Sequence, residues 1–402
     1  MLRIKGKYNE AILFTEELES TAADQIGLLC NQEWCKDSVI RIMPDVHAGK
    51  GCTIGTTMTL QSKVCPNLVG VDLGCGMLTV SLGDISLDLE KLDAFIRASI
   101  PSGFNVHETP VAAFPGLNEL RCLPSLKEIP WILNSIGTLG GGNHFLEVDK
   151  DESGKKYLII HTGSRNLGKQ VAEYYQNLAI KGVETEEYKT RADELIKHYK
   201  EIGKQKQINK ELNKLKEKLK HNLKIPRELC FLEGTYMDDY LHDISICQQY
   251  ASLNRETIAS IIMNYLKIKE FDMFHTIHNY IDVDSMILRK GAISAKKGQK
   301  LLIPLNMRDG CILGIGKGNP DYNYSAPHGA GRTKSRQAAK KTLDLDTFKK
   351  EMSGIYSSSV CENTLDESPM AYKPASSILE NIHDSVEVIE VIKPIYNFKA
   401  TD

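Results

Sequence analysis

The sequence predicts an α/β fold, α+β in its mixing of strands and helices: one large domain over residues 1–402 with mixed β-sheets and an inserted basic helical hairpin. Three observations predict it. Through roughly the first 170 residues, glycine-rich polar turns alternate with short apolar runs, the pattern of strands whose ends carry the unusual residues. From about residue 186 to 226 the apolar spacing changes abruptly to that of helices. A chain of 402 residues, 42% hydrophobic and 25% charged, has the length and balance to bury a large core.

Taken in order, the apolar runs Ile40–Met43, Leu68–Val71 and Tyr157–Ile160 read as strands. Leu195, Tyr199 and Ile202, then Ile208, Leu212, Leu215, Leu219 and Leu223, recur at three- and four-residue steps. That spacing gives one apolar stripe on each of two helices, with Gly203 as the break and Pro226 as the stop. Residues 186–226 therefore read as a helical hairpin inserted in the main body. Its lysines (Lys204, Lys206, Lys210, Lys214, Lys216, Lys218 and Lys220) outnumber its acids, which suits an arm facing an RNA backbone or a ribosome as well as a solvated helical face. A helical stretch over Met237–Leu266, strands around Ile287 and Leu301–Pro304, and a C-terminal αβ segment complete the reading.

A formal net charge of −2 gives no global positive field, so any nucleic-acid site must be a local patch. Met1–Glu10 is polar and no apolar run is long enough to span a bilayer, so the expected address is the cytoplasm, with no membrane partner. The ten cysteines include no C-x-x-C pair and read mostly as small buried hydrophobes. Cys75 stands apart.

In Val71-Asp72-Leu73-Gly74-Cys75-Gly76 a carboxylate and a thiol sit three residues apart on a permissive turn and can address one ion. In Gly137–Glu147 a glycine run, which frees the backbone to form an anion nest, precedes Asn143, His144 and Glu147. His161-Thr162-Gly163-Ser164-Arg165 follows an apolar strand and suits a metal ligand beside a phosphate clamp, or simply a histidine bound to a carbonyl. His278-Asn279-Tyr280 and His328-Gly329-Ala330-Gly331-Arg332 add two histidines in the same strand-end setting. By contrast His198, His221 and His242 fall in helical stretches and read as solvated, and His107, His275 and His383 read as structural.

Together Pro44-Asp45-Val46-His47, the Val71–Gly76 turn, the Asn143-His144 loop, the His161–Gly168 loop, His278-Asn279-Tyr280 and His328–Arg332 resemble the RtcB family of RNA ligases, in that family's order and with compatible spacing. Arg289-Lys290-Gly291-Ala292, Ala371-Tyr372-Lys373 and a lysine near the C-terminus extend the resemblance over nearly the whole chain apart from the basic arm. The resemblance implies joining of RNA 3′-phosphate or 2′,3′-cyclic phosphate ends to 5′-hydroxyl ends, with GTP and two manganese ions. It implies Asp72, Cys75, His144, His161 and His278 as metal ligands, His328 as the nucleophile that becomes guanylylated, and Asp45 as the group fixing its tautomer. Asn143, His144, Phe145, Leu146, Glu147, Asn279, Pro304, Leu305, Asn306, Met307, His328, Gly329, Ala330, Gly331, Tyr372 and Lys399 are implied at the nucleotide. Arg165, Arg332 and Lys50 are candidates for RNA phosphates. Broken tRNA or rRNA would be the substrate, with room for a helper or release-factor-like protein.

No Lys-x-Asp-Gly of nucleotidyl-transfer ligases is present, nor a P-loop; Gly314-Ile315-Gly316-Lys317-Gly318 reads as a turn. Where the family usually has Pro-Gly-Ser-Met-Gly, this chain has Pro304-Leu305-Asn306-Met307-Arg308, and it ends Phe398-Lys399-Ala400 rather than Val-Lys-Gly. These departures suggest a divergent branch. They keep open a metal-dependent phosphoesterase that opens cyclic phosphates without joining, and a non-catalytic RNA-binding repair factor.

Overall fold

A computed structural model describes residues 1–220 and 222–400; His221, read above as solvated, lies outside the described residues. Two large sheets position the site. The first holds six strands in the order Leu2–Lys5, Glu10–Leu13, Ile40–His47, Ile54–Thr59, Ile287–Lys290 and Asn279–Asp282. Its one parallel pair is Glu10–Leu13 with Ile40–His47, so this sheet is mixed. The second holds seven strands, Met273–Ile277, Gly76–Gly83, Lys156–Thr162, Phe145–Lys150, Val386–Lys399, Gly310–Gly316 and Lys300–Asn306, all paired antiparallel. A ribbon of Ala292–Ser294 with Ser325–Pro327 leads into the His328 loop.

The helix Thr235–Leu266 is amphipathic in the ordinary way: Ile244, Cys247, Ala251, Ile258 and Ile262 are buried at three-, four- and seven-residue steps. Lys267, in the left-handed conformation at φ 59°, ends it. Asn254 and Arg255, mid-helix, are fully buried. A buried guanidinium is costly unless its donors are used. Arg255 Nη1 donates to the carbonyls of Gly74 and Thr162 at 2.9 and 2.8 Å, stapling the helix to the turn that carries Cys75 and to the end of the strand that carries His161.

Three expectations need correcting. Leu68–Val71 is no strand: Pro66 opens a short 3-10 turn over Pro66–Leu68, and the chain then enters the Asp72 turn. Gly314–Gly316 is strand rather than turn, because Gly310–Gly316 is paired on both sides. A Cβ on Gly314 would lie 2.6 Å from Val386 Cγ1, so the glycines there permit close packing. The hairpin's first helix does not begin near residue 186 but runs unbroken over Arg165–Glu201. Its first part, through Ala179, is buried against the body, whereas Ala192 is its only buried residue beyond. The shift in composition marks where burial ends, not where the helix starts. Gly203, at φ 71°, does separate it from Ile208–Leu219. None of the described helices is long and apolar enough to cross a membrane.

Candidate active site and metal centre

Strand register assembles the site. Met77 lies opposite His161, His161 opposite Phe145, and Phe145 opposite Lys399, so four neighbouring strands present these side chains in one row. The next row holds Ile159, Glu147 and Asn397. Side chains directly opposite one another share a face. Leu146, between the two rows, must then point the other way. It is fully buried in the apolar cluster with Leu78 and Ile160, which removes it from the nucleotide-facing set.

Cys75, His161 and His278 bring one potential ligand atom each within 4.8 Å of one another, and so do Asp72, Cys75 and His144. Cys75 belongs to both groups; its sulfur lies 3.5 Å from His144 Nε2 and 3.4 Å from His161 Nε2. The ring orientations are fixed from behind. His144 Nδ1 donates to the carbonyl of Leu139 at 2.9 Å and His161 Nδ1 to that of Asn143 at 3.1 Å. Each Nε2 is thus left with a lone pair facing the cluster, the arrangement a metal ligand requires. Burial pushes the His161 imidazole well below its usual range, and His278 and His144 push it further; burial and His328 do the same to His278. Both stay neutral and able to ligate. Burial and Asp72 push the Cys75 thiol well above its usual range, so ionising it there needs a cation. Burial acts to raise the Asp72 carboxyl; with no cation bound, a proton on His144 Nε2, 2.9 Å away, holds it at about 2 through its hydrogen bond and charge, and a bound cation would take that proton's place. A Cβ on Gly163 would fall 2.1 Å from Asp72 Oδ1, so only glycine leaves this carboxylate its place. Buried nitrogen and sulfur donors with preset lone pairs, beside the half-buried Asp72 carboxylate, fit borderline divalent cations.

His328 adjoins this cluster, with its ring centroid 5.0 Å from that of His278. Its Nδ1 donates to Asp45 Oδ2 at 2.6 Å, and the same oxygen accepts the backbone N–H groups of His328 and Gly329 at 3.0 and 3.3 Å. Asp45 is fully buried and the His328 side chain is 20% exposed. Nε2 therefore carries the free lone pair and borders a cavity of ≈ 270 Å³.

That cavity is lined by Asn143, Phe145, Glu147, Asn279, Pro304, Leu305, Asn306, Met307, Gly329, Ala330, Gly331, Tyr372 and Lys399. His144 does not line it, since its ring is turned into the cysteine cluster. Met307 and its neighbours form one wall, where Asn306 Oδ1 accepts the N–H groups of Arg308 and Asp309, and Arg308 pairs with Asp309 and Glu351. The altered loop is thereby tied to itself.

A sequence profile described as "tRNA-splicing ligase RtcB" matches residues 29–120 and 125–400. The chain belongs to the RtcB family. Among its relatives, "RNA-splicing ligase RtcB" of Escherichia coli (strain K12) is 30% identical over 400 residues, covering 90% of each chain. "tRNA-splicing ligase RtcB" of Aeropyrum pernix is 25% identical over 457 residues, covering 91% of this chain and 88% of that one. The protein of the same name from Archaeoglobus fulgidus is 26% identical over 435 residues, covering 85% and 83%.

Within this RtcB chain the three basic candidates for RNA phosphate fare differently. Arg165 donates to Thr138 Oγ1 and the Gly103 carbonyl at 3.2 and 3.0 Å, so it braces the glycine-rich loop rather than standing clear as a clamp. Arg332 stacks on Tyr372 and donates to Glu367 and to the Asp366 carbonyl, an engaged position at the cavity wall. Lys50 alone is exposed, on the loop before Gly51.

Several residues gave no signal in the sequence. Glu367 is buried and takes ion pairs from Lys399, Arg332 and Arg336. Burial acts to raise its carboxyl, and Lys399 and Arg336 more than reverse this, holding it at about 2. Arg336 and Asn397 line the cavity too, as does His47 from the Pro44–His47 motif, a histidine assigned no role from the sequence. Asn254 accepts the N–H groups of Gly137 and Thr138 and donates to the carbonyls of Thr138 and Gly163, fixing two of the loops beside the ligands. Their partners lie far off in sequence, so no local spacing could reveal them.

Proposed function

We propose that this chain is an RNA ligase that joins a 3′-phosphate or 2′,3′-cyclic phosphate end to a 5′-hydroxyl end, consuming GTP and acting on broken tRNA or rRNA in the cytoplasm. The observation that carries the reading is the His328–Asp45 pair, with one imidazole nitrogen tied down at 2.6 Å and the other bordering the cavity next to the cysteine–histidine cluster. Asp72, Cys75, His144, His161 and His278 would hold two manganese ions, which supply Lewis-acid stabilisation of charge on phosphate oxygens.

The chain's own residues account for the rest. His328 Nε2 attacks the α-phosphorus of GTP; a P–N bond forms and the bond to pyrophosphate breaks. Asp45 keeps the Nδ1 proton in place and stabilises the positive charge that develops on the ring. An oxygen of the RNA 3′-phosphate then takes the guanylyl group, and His328 departs as neutral imidazole. The RNA phosphorus now carries a good leaving group, and the 5′-hydroxyl, giving up its proton to solvent, displaces GMP from it; a cyclic end must first add water across one P–O bond to become the 3′-phosphate. Glu147, Tyr372 and Lys399 would face the base, while Phe145 and Met307 cover its flanks.

A joining assay tests this. A 3′-phosphate RNA and a 5′-hydroxyl RNA, incubated with the protein, GTP and manganese, should yield the ligated strand. Opening of a cyclic phosphate without any joined product would establish a phosphoesterase instead.

A further inference from the structure

Behind the base-side wall lies a polar cluster that the steps above leave without a task. Glu147 and Asp149 alternate onto one face of Phe145–Lys150, and they are 2% and 0% exposed. Cys311, from a neighbouring part of the sheet, closes the group. Its thiol donates to Glu147 Oε1 at 3.6 Å, and one atom of each of the three residues lies within 4.8 Å of the others. Asn397 Nδ2 donates to Glu147 Oε2. Both Asp149 oxygens are buried and accept no hydrogen bond from the described residues.

The charged and titratable neighbours are engaged elsewhere. Lys399 is bound to Glu367, Lys393 donates to the Asp309 carbonyl, and Tyr157, opposite Asp149, donates to Asp151. Two carboxylates this close in a dry interior cannot both ionise; one proton between them removes the repulsion. The pair is asymmetric. Cys311 lies against both carboxyls, but Glu147 also has the Asn397 amide and the field of Lys399 to favour its charged form, whereas Asp149 has besides Cys311 only the field of Lys393. Burial raises both carboxyls, and Glu147 raises Asp149 further.

We propose that Asp149 is a positioning residue: it holds one proton at neutral pH, donates a hydrogen bond through it to Glu147, and so keeps the Glu147 carboxylate ionised and oriented toward the base. An ionised, oriented carboxylate accepts the adjacent N1–H and N2–H donors of guanine. Adenine would set a lone pair at N1 against it, so the dyad selects a guanine nucleotide. This rests on the nucleotide site proposed above, and the two claims can fail separately.

Infrared difference spectra of the full chain without nucleotide, wild type minus Asp149→Asn at neutral pH, should contain the C=O stretch of a protonated carboxylic acid. Titration with α,β-methylene analogues of GTP and ATP then reads the consequence. Asp149→Asn, whose NH₂ can donate in place of the acid O–H, should keep GTP-analogue affinity within about threefold. Asp149→Val should lose about 10- to 100-fold, the loss expected for one hydrogen bond to a charged group, with weak ATP-analogue binding unchanged. No infrared band overturns the proton on Asp149, whatever the nucleotide. Equal weakening in both variants overturns the donor role. So does metal analysis showing one more bound ion in wild type than in Asp149→Asn. Wild-type protein that binds both analogues alike refutes the nucleotide reading itself.

Discussion

Asp45→Asn isolates the charge of the group behind His328. In the wild type one oxygen, Oδ2, accepts His328 Nδ1–H at 2.6 Å and two backbone N–H groups at 3.0 and 3.3 Å, while Oδ1 is buried without a partner among the described residues. Three donors converging on one corner fix the orientation of the new amide. Its carbonyl must take the Oδ2 place, since an NH₂ there would oppose three donors. The tautomer of His328 is then kept, and what is lost is the negative charge. A hydrogen bond to a charged group contributes about 1.5–3 kcal/mol against about 0.5–1.5 for a neutral one. Positive charge growing on the ring during attack enlarges the difference to about 1.5–3 kcal/mol, or roughly 10- to 150-fold at 1.36 kcal/mol per decade. The NH₂ falls where Oδ1 was, buried and unpaired, and should lower stability by about 1–3 kcal/mol. Single-turnover formation of the nucleotidyl-protein adduct, followed beside a thermal melt, measures both. A rate within threefold of wild type would show that the Asp45 charge does not act on His328. A loss beyond about 10⁴-fold with the fold intact would mean that the amide turns its NH₂ inward, against the orientation argued here.

Cys75→Ala removes the one sulfur common to both ligand groups, so if the wild type binds the two ions proposed above, bound metal should fall to one or none while the melting temperature changes little; a metal content equal to the wild type's would contradict the shared role. Exchanging Lys210, Lys216 and Lys218 for Glu on the exposed arm should weaken RNA binding and flatten its salt dependence by about 0.7–0.9 per lost phosphate contact. Adduct formation should not change, and unaltered RNA affinity would leave the arm a solvated face. The Glu367 carboxyl is held at about 2 against a usual 4.5, so its contribution is full above about pH 4.5 and is lost as the pH falls toward 2. That difference corresponds to about 3 kcal/mol. Glu367→Gln should therefore melt lower at neutral pH and show a shallower acid limb, and an unchanged acid limb would refute the ion-pair assignment.

Much of the site was legible because its chemistry sits at strand ends in short, unusual strings. Asp72 and Cys75 share one turn, and His144, His161, His278 and His328 each lie in or beside a strand end, so local pattern sufficed to nominate them. That they converge followed from the family resemblance, and it depends physically on the register that sets His161 opposite both Met77 and Phe145. Period two also explains the failure at Leu146, which shares a string with Phe145 and Glu147 yet faces the opposite side. Glu367 and the Asn254–Arg255 staples were silent because each partner is tens to hundreds of residues away. Leu68–Val71 looked like a strand on apolar content alone; Pro66, at the first position of a 3-10 turn, decided otherwise. In the arm, helix and insertion were conflated, since Arg165–Glu201 crosses from buried core to exposed surface without a break.

The most direct measurement is the mass of the intact protein after incubation with GTP and manganese, followed by peptide mapping. A single GMP bound through nitrogen at His328, absent from His328→Ala, is the predicted result. An adduct on a lysine, or none at all in a preparation shown to have bound manganese, would contradict the assignment of His328 as the nucleophile beside that centre.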